Sequence, residues 1–110
     1  MPKRLLLCLF LSVVFAAAAA QPARVFELAL AAGRPADTIR VKRGEQVELR
    51  WSSDRRMTLH LHGYDVEQTV MPQSSAVMRF KADIAGRFPV SEHGSGGRHG
   101  RTVLYLEVHP

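Results

Sequence analysis

The feature that most restricts how this chain can fold is the alternation of apolar with polar residues at a period of two. Val47, Leu49 and Trp51 alternate with Gln46, Glu48 and Arg50, and Phe26, Leu28 and Leu30 do the same, as do Ile39 and Val41. On an extended backbone such residues line one face, so each stretch reads as a strand with one side buried. Similar patterns cover residues 57–62, 75–80, 87–91 and 102–108, where Leu104, Leu106 and Val108 share a face. Turn signals separate them at Ala32-Gly33-Arg34-Pro35, Arg43-Gly44, Ser52-Ser53-Asp54, Met71-Pro72, Ala85-Gly86 and the glycine-rich run 94–100. No stretch keeps a helical period over three turns. Seven or eight short strands, with a turn about every 8–12 residues, predict an all-β fold: an antiparallel sandwich or barrel of Greek-key topology.

Length limits what such a sandwich can contain. With 110 residues the chain is expected to hold one small domain, and residues 1–20 have the organisation of an export signal. Two cations, Lys3 and Arg4, precede an apolar run from Leu5 to Phe15, and the small residues Ala16 to Ala20 supply a cleavage site after Ala20. The run is too short for a comfortable membrane span. The expected mature domain is therefore residues 21–110, periplasmic or secreted, with no stable span after cleavage.

The sole cysteine, Cys8, lies inside that leader. A mature chain without thiols excludes disulfide support, thiol catalysis and iron–sulfur ligation, so the core alone must stabilise the sheets. Removing Lys3 and Arg4 lowers the formal net charge from +5 to +3. The arginines are scattered singly or in short pairs such as Arg55-Arg56, which is a solvated surface and not the basic stripe that a nucleic-acid partner requires.

Histidines are the residues with chemistry to offer. His60 and His62, two apart, fall on one side of a strand about 7 Å apart at Cα. His93 and His99 bracket the glycine-rich run, and His109, beside the C-terminus, reads as solvent-exposed. Brought to one place, the imidazoles of His60, His62, His93 and His99 would suit copper or zinc. The same four residues scattered over a surface would bind nothing, and both outcomes are compatible with the spacing.

The order of features resembles the cupredoxins. The resemblance runs through Ile39-x-Val41-x-x-Gly44-Glu45-x-Val47-x-Leu49, then His60-Leu61-His62-Gly63-Tyr64-Asp65, Gly86-Arg87-Phe88-Pro89-Val90-Ser91-Glu92-His93 and the closing Leu104-Tyr105-Leu106-Glu107-Val108. The His-x-His-Gly piece is also similar to the paired-histidine motif of multicopper oxidases. The resemblance implies a cupredoxin-like sandwich with His60 and His93 at the two imidazole positions of a blue-copper site. It also implies what is missing: the cysteine position falls on Val90 and the methionine position at or near Arg98. Without thiolate a blue-copper centre cannot form. His62 and His99 are extra histidines that could replace the lost ligands, and Met57 and Met71 could act as soft donors toward Cu(I).

Two readings of orientation remain open. Leu59 and Leu61 read as core residues, which sends His60 and His62 outward, whereas the resemblance puts His60 at the barrel mouth with Tyr64 packed beneath. Asp65, Glu67 and Glu92 stand where a carboxylate could orient an imidazole N–H, and Glu92 could also act as an oxygen ligand. The expected function is copper (or other transition-metal) binding for sequestration or delivery, with no catalysis. Its partner would be an envelope protein or a copper-handling protein. The alternative is a metal-free interaction module of the cell envelope.

Overall fold

The computed structural model describes residues 12–17, 21–93 and 99–110, with His99 described by its backbone alone. The leader expectation for residues 1–20, Cys8 and most of the glycine-rich run therefore lie largely outside the described residues. Among the described residues there are eight strands: β1 (Arg24–Leu30), β2 (Asp37–Lys42), β3 (Gln46–Ser53), β4 (Met57–Leu61), β5 (Val66–Val70), β6 (Ala76–Lys81), β7 (Gly86–His93) and β8 (His99–His109). They form a three-stranded sheet ordered β1-β3-β6 and a five-stranded sheet ordered β2-β8-β7-β4-β5.

The period-two faces meet between these sheets. Val47, Leu49 and Trp51 from β3 pack with Leu59 and Leu61 from β4, Val90 from β7, and Leu104 and Leu106 from β8, each at most 1% exposed. Burial of these branched and aromatic side chains is the main stabilising term, worth about 1.5–3 kcal/mol for a fully buried Val, Leu, Ile, Phe or Met. The expected all-β sandwich is what the chain forms. Two pairings, β1 with β3 and β2 with β8, are parallel, where local turn signals alone suggest antiparallel neighbours. β2 lies in the opposite sheet between β1 and β3 in sequence, so the chain crosses the sandwich twice and returns in the same direction.

β5 carries no apolar alternation that the sequence makes legible. Only Val70 of its five residues is fully buried, and the strand exists because it extends the β4 ladder, His60 opposite Glu67 and Leu61 opposite Val66. Tertiary pairing overrides a weak local pattern here.

On the outer side of the three-stranded sheet, Glu48 is buried to 6% exposure beneath two arginines. Arg79 Nε and Arg50 Nε each donate to its carboxylate at 2.7 Å, and Arg50 also reaches Glu27 at 3.2 Å. The bonds from Arg79 and then Arg50 hold the Glu48 carboxyl below the usual carboxylate range, against an opposing contribution from burial. A depressed folded-state value means that Glu48 stabilises the fold above its unfolded-state value, and that this contribution disappears as pH falls through the depressed one. Glu48→Gln should therefore lower the melting temperature at pH 7 and narrow the difference between melts at pH 7 and pH 3. An unchanged difference in thermal melts followed by circular dichroism would contradict that assignment.

Candidate metal centre

β4 runs between β5 and β7, and its parity is set by the core. Met57, Leu59 and Leu61 are buried while Thr58 and His60 are half-buried, so His60 stands on the outer face of the five-stranded sheet. His62 lies one residue beyond the strand, yet its N–H still donates to Pro89 O at 3.0 Å, which continues the line of β4 by one step. Of the two orientations open from sequence, the outward one is observed. The chain then reverses at Gly63, where φ is +84°. A Cβ at Gly63 would collide with the Phe88 ring, whose Cε1 would lie 2.6 Å away. Tyr64 is consequently tucked over the sandwich end, edge-on to Phe88 and tilted against Phe80 at centroid separations of 5.1 Å, with its hydroxyl donating to Ile84 O at 2.8 Å.

His93 arrives from β7. Ser91 is the cross-strand partner of His60 and His93 that of Thr58, so His93 sits diagonal to His60 on the same outer face. The pairing of β7 with β8 is irregular here, with register shifts between Val90 and Ser91 and between Ser91 and His93.

Three imidazoles from two separate stretches therefore converge. Ring centroids lie 4.5 Å apart for His60 and His62, 5.2 Å for His60 and His93, and 6.4 Å for His62 and His93. One nitrogen from each ring lies within 4.8 Å of the other two. Metal–imidazole bonds of about 2.0–2.1 Å put two nitrogens on one ion about 3–4 Å apart, so the triad closes on one ion with at most about 2 Å of contraction. His60 Nδ1 and His93 Nε2 are both buried with no hydrogen-bond partner among the described residues. Buried polar nitrogens are normally paired. Two such nitrogens in one cluster of three histidines are available as donors, and the donor set fits Cu(II) or Zn(II).

The remaining candidates divide clearly. His99 contributes its backbone to β8 opposite His93, but its side chain lies outside the described residues. His109 is exposed and lies 3.6 Å from Glu107, remote from the triad in the ladder. Met57 is a core residue at 5% exposure, on the face of β4 opposite His60, and Met71 is exposed. Val90 is fully buried opposite Leu61. Glu92 is engaged by Arg55 at 3.2 Å, which makes it an ion-pair partner and not a donor to the triad. Asp65 Oδ1 approaches His60 Nε2 at 3.6 Å. Thr58 and Ser91, the cross-strand neighbours of His93 and His60, complete this part of the sheet face and were not singled out from sequence. Their parity with His60 was a usable signal for Thr58; the partnership of Ser91 needed the register.

No protein-family model matches the sequence, and no curated protein matches it. Solved structures do. A copper binding protein in its apo form gives a TM-score of 0.58 at 14% identity, over 77% of this chain and 86% of that one. The periplasmic domain of subunit II of cytochrome oxidase from Bradyrhizobium japonicum gives 0.54 at 18% identity, over 64% of this chain and 52% of that one. The multicopper oxidase mgLAC gives 0.54 at 24% identity, over 66% of this chain and 29% of that one. The fold is cupredoxin-like. This chain spans about half of the oxidase-subunit domain and under a third of the multicopper oxidase, and at these identities the likeness carries the fold alone.

Within that cupredoxin-like frame, the turn at Gly63 fixes where His62 ends up. Gly63→Ala should destabilise the chain by about 1–3 kcal/mol through the clash with Phe88 and the left-handed backbone, read as a lower urea midpoint. A midpoint equal to that of the unaltered chain would show that Phe88 is free to move aside.

Proposed function

We propose that this protein holds a copper ion through His60, His62 and His93, and that it serves in metal sequestration or delivery and not in electron transfer or catalysis. The observation that carries the proposal is the convergence of three imidazoles, two of whose buried nitrogens have no hydrogen-bond partner among the described residues. His99 remains a fourth candidate from the sequence. Cu(II) favours tetragonal sets of nitrogen and oxygen donors, and three imidazoles leave such a set incomplete. A further donor can then come from His99, from solvent or from a recipient protein, which is the property a delivery site needs. The partly exposed outer face of the sheet makes that approach open.

A tuned blue-copper potential needs a thiolate, and the position that would supply it is Val90. Electron transfer is therefore left out of the proposal. The copper binding protein and the multicopper oxidase among the structural neighbours support a copper role. A periplasmic or secreted location rests on the leader-like residues 1–20 together with the periplasmic neighbour, and an envelope or copper-handling protein is the partner this reading implies. Among the described residues no helix is long and apolar enough to cross a membrane.

Calorimetric titration with Cu(II) and with Zn(II) tests the proposal. One equivalent of copper should bind to the unaltered chain, and a His60→Ala/His93→Ala variant with an unchanged circular dichroism spectrum should lose that binding. Equal heats from the two proteins would overturn the assignment to these histidines, and none from either would favour the metal-free interaction module. Tighter binding of zinc would reassign the ion.

A further inference from the structure

The turn that follows His62 does more than reverse the chain. Asp65 occupies the left-handed region with φ at +52°, a conformation that few residues other than glycine accept and that Asp and Asn tolerate best. From there its side chain, 91% exposed, places Oδ1 3.6 Å from His60 Nε2. That separation is an ion-pair distance, longer than a hydrogen bond. The other nitrogen of the same ring, Nδ1, is the buried one with no partner among the described residues. Glu67 faces His60 across the β4–β5 ladder, but no ion pair joins them among the described residues.

A neutral imidazole has one N–H and one lone pair, on different nitrogens. A carboxylate at Nε2 holds the proton there and leaves the lone pair at Nδ1, on the buried side of the ring. We infer that Asp65 is a positioning residue that fixes His60 as the Nε2–H tautomer and so presents Nδ1 to the metal. This rests on the copper reading for its purpose, though not for its test. A carboxylate on the outer nitrogen of a ligating histidine restrains the ring and raises its basicity, and losing such a partner typically weakens metal affinity about 10–100-fold.

The competing explanation for Asp65 is that it merely suits a left-handed turn. Two substitutions separate these roles, because both residues accept the same backbone. Asp65→Gly removes the side chain, and Asp65→Asn keeps a neutral oxygen acceptor. Nitrogen-15 NMR of the metal-free proteins at about pH 8.5, where an ordinary imidazole is neutral, reads the tautomer directly. The unaltered chain should show His60 as Nε2–H, Asp65→Gly should show a mixture, and Asp65→Asn should recover most of the Nε2–H form. Copper affinity should fall about 10–100-fold in Asp65→Gly, with a smaller loss in Asp65→Asn. An Nδ1–H tautomer in the unaltered chain, or one unchanged in Asp65→Gly, overturns the inference. Failure of the unaltered chain to bind copper would overturn the copper reading instead, and the tautomer measurement would still decide the role of Asp65.

Discussion

Burial of Leu59 and Leu61 is the constraint on which the candidate site depends. A strand has only two faces, and these two leucines, fully buried against β3, β7 and β8, commit one of them to the core. His60 is then forced outward, and His62 follows because its N–H keeps the strand line through Pro89. Nothing intrinsic to imidazole chooses that side. A one-residue slip of β4 would bury both histidines and expose both leucines, at a cost of several kcal/mol in lost apolar burial alone.

The same constraint explains where the candidate histidine cluster lies. At the interior position opposite Leu61 stands Val90, whose side chain fills the core and adds burial. The three imidazoles are collected on the outer surface of the sheet, where β7 delivers His93 diagonally beside His60. Hydrophobic packing and the candidate donors thus occupy opposite faces of the same strands. The arrangement separates the stabilising contacts, which lie in the core and in the Glu48–arginine cluster, from the face that carries the candidate site.

Much of the fold was legible in residue order. Strands β1 to β4 and β6 to β8 carry the period-two signal because one face of each is buried against the other sheet. β5 was not legible, because an edge strand with a single fully buried residue has little pattern to impose; its partner strand supplies the order. At the site, His60, His62 and His93 were recognisable as residue types with metal-binding chemistry. Their convergence was not, since His93 is separated from the pair by two intervening strands in sequence and meets it only through the β4–β7 register. Glu92 and Met57 show the reverse: suitable donors by residue type, they are taken up by Arg55 and by the core.

By itself, then, the sequence determined that the chain forms a β-sandwich, which residues make its core, and that no thiolate after Cys8 is available as a metal donor. These follow from local periodicity and from the absence of any cysteine after Cys8, and neither needs knowledge of distant neighbours. Only the tertiary structure decided that three of the histidines share one face, that Asp65 stands against the outer nitrogen of His60, and that two strand pairs run parallel. Each of these is a relation between segments far apart along the chain. Register and crossover are set by the summed packing of both sheets, and no single stretch of residues contains that sum.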